Sequence, residues 1–150
     1  MEVKRWRVFL DTSALIAGLV SHTGAAREVL RAAEAQVVQL VVSRQVLTEA
    51  ERNVSAKLPV ILADYHALLE QIALELVEDP GLEAVREAAV VIHHKDAAIL
   101  AAAREAEVDY LVSWNTRHFH TETVRAFVRF PILTPGEFLR EFRRMLPTDL

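Results

Sequence analysis

At 150 residues and 52% apolar composition, the chain is sized for a single domain, residues 1–150, and is too apolar for a disordered segment. Its 17 Lys and Arg against 21 Asp and Glu give a formal charge of −4. That argues against a simple nucleic-acid binder with a basic face, but not against an enzyme whose acidic site is filled by divalent ions. There are no cysteines, which excludes disulfides and thiolate metal sites and makes the cytoplasm the expected compartment. No apolar run approaches the ~20 residues needed to span a membrane, so no membrane association is expected. The basic stretch Met1 to Arg7 leads into no signal-peptide pattern, because the apolar run Val8 to Leu10 stops at Asp11.

Short apolar runs alternate with longer stretches of helical period, the pattern of an α/β domain with a parallel sheet covered by helices. Arg7 to Leu10 reads as a buried first strand, followed by helices over Thr12 to Val20 and Ala25 to Ala35. Val37 to Val42 is a Val-rich second strand. Ser43 then caps a helix from Arg44 to about Ala56, which stops near Pro59. Ile61 to about Leu74 is again helical, and Leu74 to Val77 forms a short third strand. Asp79-Pro80-Gly81 is a turn before a helix over Leu82 to Ala89. Asp96 opens a helix to about Glu105, with Ile99, Leu100 and Ala103 on one face. Tyr110 to Ser113 is a strand, Thr121 to Val128 a short helix, and Ile132-Leu133 a last strand. Thr134, as N-cap, and Pro135, at the first helical position, start the final helix.

In open parallel sheets, sites form outside the carboxyl ends of the strands. Asp11 ends the first strand and is followed at once by Thr12 and Ser13. Glu49 lies two turns into the helix after the second strand. Asp96 precedes the fourth strand, which ends in Ser113, Trp114, Asn115 and Thr116. Three carboxylates, an amide and several hydroxyls are thus expected to converge, an oxygen-rich set suited to Mg²⁺ or Mn²⁺.

The run Val8-Phe9-Leu10-Asp11-Thr12-Ser13-Ala14-Leu15 resembles the opening of a PIN-domain nuclease, where a strand delivers an Asp followed by a small hydroxyl residue. Lys95-Asp96-Ala97-Ala98-Ile99-Leu100 is similar to that family's third acidic motif, and Asp109 to Phe119 to its fourth. Ile132 to Leu139 resembles its C-terminal strand and helix, and Glu49 stands where its second acid is expected. The resemblance spans about Val8 to Phe138. It implies a three-layer α/β/α domain with a mostly parallel central sheet. It also implies a metal site of Asp11, Glu49, Asp96 and Asn115, the last replacing the Asp found in many members. Thr12, Ser13, Ser113 and Thr116 are expected to support that site, and Arg117 and His118 to meet phosphate. The activity implied is metal-dependent cleavage of single-stranded RNA, leaving a 5′-phosphate and a 3′-hydroxyl. The role implied is that of the toxin of a toxin–antitoxin pair, with a cognate antitoxin as partner and a homodimeric assembly. A catalytically weak PIN-like module that binds RNA or protein is the alternative.

Plainer roles exist for the same residues. Asp11 and Asp96 both suit helix N-caps, and capping can coexist with metal binding. A Glu on an amphipathic helix usually faces solvent, as Glu51 is expected to. Asp109 begins its strand about 13 Å from Ser113 and belongs to the opposite edge. His93 and His94 lack a ligand spacing and read as loop residues near the rim of the cleft. Phe119 is expected to pack inward, with His120 in a solvated loop. Competing phosphoryl-transfer patterns fit less well: Ser13 stands where a haloacid-dehalogenase phosphatase needs a second Asp, a receiver domain's acidic pair is missing, and no Gly-rich nucleotide loop occurs.

Overall fold

The computed structural model describes residues 5–145; of the basic stretch 1–7, residues 1–4 lie outside that range, as do residues 146–150. Five strands, β1 (Trp6–Leu10), β2 (Val38–Ser43), β3 (Glu75–Val77), β4 (Tyr110–Val112) and β5 (Ile132–Leu133), form one sheet in the order β3-β2-β1-β4-β5. Every pairing is parallel. Between β1 and β2 lie α1 (Thr12–Val20) and α2 (Ala25–Glu34); α3 (Arg44–Lys57) and α4 (Leu62–Gln71) follow β2. After β3 come α5 (Leu82–Ala89) and α6 (His94–Ala106). The short α7 (Thr116–Phe119) and α8 (Glu122–Phe127) link β4 to β5, and α9 (Pro135–Met145) follows β5.

The central strands are apolar runs because helices cover both of their faces. Val8, Phe9 and Leu10 of β1 and Leu111 and Val112 of β4 are at most 1% exposed. From β1 the chain moves outward through β2 to β3, then crosses back to place β4 on the other side of β1. Parallel crossovers are right-handed, so this reversal puts α5 and α6 on the face opposite α1 to α4. On the first face α1 packs against α2 and α3, and α2 against α9; on the other, α5 pairs with α6, which lies against β2. The three layers meet the expectation. The reversal also leaves a switch point between the carboxyl ends of β1 and β4, where open sheets bind their ligands.

Local chemistry sets the boundaries. Ser43 Oγ accepts from the Val46 N–H at 3.3 Å and starts α3. A 3-10 turn over Pro59–Ile61 then separates α3 from α4, which ends at Gln71, three residues earlier than expected. Thr134 and Glu137 form a reciprocal capping box at the start of α9: the Glu137 N–H donates to Thr134 Oγ1 at 3.2 Å and the Thr134 N–H to Glu137 Oε1 at 2.9 Å. A Cβ on Gly18 would come within 2.6 Å of Leu30 Cδ1 and 3.1 Å of the Ala26 carbonyl oxygen, so only glycine lets α1 approach α2 so closely.

Three expectations are corrected. Asp96 does not cap α6: the helix begins at His94, and the His93 ring accepts from the Lys95 N–H as N-cap, leaving Asp96 inside the first turn. Thr116–Phe119, read as loop, makes a single helical turn. His120 is half-buried rather than solvated, because its Nε2 donates to the Ser113 carbonyl at 3.1 Å. Asp109 does lie at the opposite edge, where the Arg7 N–H donates to its Oδ2 at 2.8 Å. There the Arg7 guanidinium also spans from Glu75 Oε1 (3.0 Å) to the Ala106 carbonyl at the end of α6 (2.6 Å).

The end of α2 carries local strain. The Val37 N–H donates to the Ala32 carbonyl and the Gln36 N–H to the Ala33 carbonyl, both at 3.0 Å. These bonds define a Schellman motif, yet Gln36 occupies its left-handed position with φ of 63°. Gln36→Gly is expected to stabilise the fold by about 0.5–1 kcal/mol through relief of the Cβ clash. Urea unfolding with an unchanged m-value checks this; a destabilised variant would mean that the Gln36 side chain holds contacts of its own.

Candidate active site

Asp11 lies at the switch point because the register aligns Leu10 with Val112. The Asp11 N–H donates to the Val112 carbonyl at 3.2 Å, which sets Asp11 beside Ser113. Among the described residues only Asp11, Ser43 and Ser113 are polar and buried, at 3%, 1% and 0% exposure. Each closes a central strand, and two of the three bond to each other.

A buried carboxylate needs its hydrogen bonds supplied by the protein. Asp11 Oδ1 accepts from Ser13 Oγ at 2.7 Å and from the Ala14 N–H at 2.9 Å, the second being the N-cap bond of α1. Asp11 Oδ2 accepts from the Ser113 hydroxyl. Capping and site membership therefore coexist in one residue. Burial pushes the Asp11 carboxyl above its ordinary pKa, and the charge of Asp96 adds to that. The hydrogen bonds from Ser113, Ala14 and Ser13 act in the opposite direction.

The remaining predicted residues gather around this centre by different routes. Glu49 turns inward: Thr12 Oγ1 donates to its Oε2 at 2.8 Å and Gln45 Nε2 to its Oε1 at 2.9 Å. Asp96 Oδ2 accepts from His118 Nδ1 at 2.8 Å. Asn115 follows directly after Ser113, whose Oγ accepts the Asn115 N–H at 2.9 Å. Its side-chain Oδ1 caps α7 by accepting the His118 N–H at 3.2 Å. Ser13 Oγ also accepts the Trp114 N–H at 3.1 Å. Thr116 and Arg117 are exposed on the same rim, and Thr116 touches it only through its backbone N–H, which donates to the Trp114 carbonyl at 2.9 Å.

Sequence reading missed Gln45, which bonds Glu49, and the contact of His93 with His118, the partner of Asp96. Gln45 lies one helical turn before Glu49, a spacing that could have revealed it. His93 stacks on His118, with ring centroids 5.3 Å apart and planes 6° from parallel. No spacing signals that contact, because it joins α7 to the cap of α6.

Among the described residues no Lys or Arg pairs with Asp11, Glu49 or Asp96. Nor do three acidic or imidazole groups there form a ready-made metal cluster. Mg²⁺ keeps several waters and is commonly held by one or two carboxylates. The all-oxygen donor set, with one buried carboxylate and a second negative charge beside it, fits a hydrated hard cation. The large cavity of about 750 Å³ lies elsewhere, at the amino-terminal edge of the sheet between Arg104, Asp109, Phe127 and Arg129. Arg104 is already engaged there by Glu87 and by the Phe127 ring.

The profile of the PIN domain matches residues 7–117, which is most of the chain and takes in Asp11, Glu49, Asp96 and Asn115, stopping one residue short of His118. The protein belongs to the PIN domain family. No curated protein matches it. Among solved structures it is similar to PAE2754 from Pyrobaculum aerophilum, with 18% identity, 92% of this chain and 96% of that chain covered, and a TM-score of 0.58. A toxin–antitoxin complex from Klebsiella pneumoniae shows 19% identity, coverage of 85% and 97%, and a TM-score of 0.59. VapC20 from Mycobacterium tuberculosis, a toxin described as cleaving the sarcin–ricin loop, shows 16%, 81% and 96%, and 0.56. At these identities the likeness is one of fold. No helix among the described residues is long and apolar enough to cross a membrane.

The two serines on Asp11 differ in burial, and their removal should differ in cost. Ser113→Ala leaves a buried carboxylate oxygen and the Asn115 N–H unpartnered, and is expected to cost about 1–3 kcal/mol. Ser13→Ala, at a half-buried position, is expected to cost about 0.5–1 kcal/mol. Chemical denaturation of the two variants checks the order. Equal, small losses would show that water, not Ser113, satisfies Asp11.

Proposed function

We propose that this protein is a divalent-metal-dependent endoribonuclease that cuts single-stranded RNA, leaving a 5′-phosphate and a 3′-hydroxyl. The observation that carries the reading is the buried Asp11 carboxylate, held at the switch point with the Asp96 charge acting on it and, among the described residues, no Lys or Arg paired with either. Asp11, Glu49 and Asp96, with Asn115, would hold one or two Mg²⁺ or Mn²⁺ ions. Such an ion supplies charge neutralisation at phosphate, acidification of water and support for the departing oxygen. The chain's own contribution is orientation. Ser13, Ser113 and the Ala14 N–H hold Asp11 in one rotamer; Thr12 and Gln45 aim Glu49; His118 steadies Asp96. Arg117 is exposed on α7 and would meet a phosphate. The similarity to a toxin–antitoxin complex and to a loop-cleaving toxin supports a toxin role, with a cognate antitoxin and a second copy of this chain as partners in the cytoplasm.

Asp11→Asn keeps a side chain that caps α1 well but removes the central charge. Cleavage of single-stranded RNA in Mg²⁺ or Mn²⁺ should fall by at least about 100-fold, on the order of a lost electrostatic group in a site of this kind, while thermal unfolding shows the fold intact. Full activity in this variant would sink the metal-site reading. Wild-type protein that binds RNA without cutting it would turn the assignment to a binding module.

Asn115 provides a second test. If its carbonyl joins the ligand set, Asn115→Asp adds a negative charge and should tighten Mn²⁺ binding in a calorimetric titration. Unchanged affinity would confine Asn115 to capping α7.

A further inference from the structure

Trp114 stands between two residues of the site, Ser113 and Asn115, and is 46% exposed. Each of the other nine aromatic side chains of Phe, Tyr and Trp is buried or half-buried. A single exposed apolar residue on a surface is ordinary, and exposure alone would say nothing. The backbone that presents this one is unusual. Its N–H donates to Ser13 Oγ at 3.1 Å, and Ser13 in turn donates to Asp11 at 2.7 Å. Its carbonyl accepts from the Thr116 N–H at 2.9 Å. Both peptide groups flanking the indole are thus tied, one of them through a single hydroxyl to the central carboxylate.

We infer that Trp114 is a base-stacking platform for a nucleotide of single-stranded RNA bound at the carboxylate site. This deepens the nuclease reading and rests on it. The charge balance gives the reason. The protein carries a net charge of −4, and three of its acids, Asp11, Glu49 and Asp96, belong to the site, so attraction to the phosphate backbone is weak compared with that of a basic binder. Stacking on an aromatic ring supplies affinity that does not depend on charge, and it tolerates any base because every base has a π face. A single-stranded substrate is the form that can offer such a face, since its bases are free to unstack. The tied backbone keeps the base of the indole next to the residues that hold Asp11, so a stacked base would also bias which phosphate reaches the carboxylates.

The chain has two tryptophans, and Trp6 lies at the other end of the sheet with its ring edge-on to Tyr110 at 5.4 Å. In a Trp6→Phe background, the emission of the full-length protein therefore reports Trp114 alone. The probes are a short single-stranded oligoadenylate and an abasic oligomer of equal length, with Ca²⁺ in place of Mg²⁺ to slow cleavage. Oligoadenylate should quench Trp114 and the abasic oligomer should not. By anisotropy of labelled oligoadenylate, Trp114→Ala should weaken binding by about 5- to 150-fold, and Trp114→Phe much less, with the salt dependence unchanged. Stacking is overturned if Trp114→Ala binds oligoadenylate as tightly as the parent, or loses affinity equally for the abasic oligomer. In either case cleavage by the wild type in Mg²⁺ would leave the nuclease assignment standing. If the wild type neither binds nor cuts single-stranded RNA in Mg²⁺ or Mn²⁺, that assignment fails and the stacking role falls with it.

Discussion

A carboxylate that is 3% exposed must find every hydrogen bond inside the protein, and the organisation of this fold follows from how Asp11 finds its own. One oxygen is satisfied locally, by the first turn of the helix it caps. The other requires Ser113, which reaches it only if β4 pairs with β1 in the register observed. The topology that crosses the chain back over β1 is what brings that strand there. The position that binds ligands in open α/β sheets is thus also the position at which this sheet is knitted together.

That double role explains which parts of the protein were legible in its sequence. The first strand and Asp11 were legible because a buried parallel strand is a bare apolar run, and an acid directly after it has few structural uses. The helices α1 and α5 were bounded correctly because their ends carry strong local signals, an acidic cap in one case and a Pro-Gly turn in the other. The start of the helix that carries Asp96 was misread. That residue's side-chain type suggested a cap, whereas the helix begins a little earlier, where a histidine ring does the capping. The turn of α7 was invisible because four residues without apolar period carry no helical signature. The part played by Ser113 was the least legible of all. Its bond to Asp11 joins positions 102 apart, and only the strand register encodes that distance.

The outer acids show a graded rather than uniform dependence on the core. Glu49 is steered by Thr12, next to Asp11, and by Gln45 on its own helix, so α1 and α3 must be in contact for it to point inward. Asp96 depends on α7 through His118, and α7 is itself capped by Asn115. The polar residues around Asp11 therefore form linked pairs, of which Thr12–Glu49 bridges α1 and α3 and His118–Asp96 bridges α7 and α6. A substitution at one of these links removes a hydrogen bond from an acid while leaving the apolar contacts of the core in place.

The parallel sheet has a temporal consequence as well. No strand pairs with a neighbour through a tight hairpin, and the two partners at the centre of the site lie 102 residues apart. During synthesis on a ribosome, Asp11 emerges 102 residues before Ser113 and stays without its buried partner until β4 has been made and has crossed back to β1. Closing so long a loop is slow compared with forming local structure. The acidic centre therefore comes into being as one of the last events of folding, and a growing or truncated chain that ends before Ser113 carries its carboxylates without the means to arrange them.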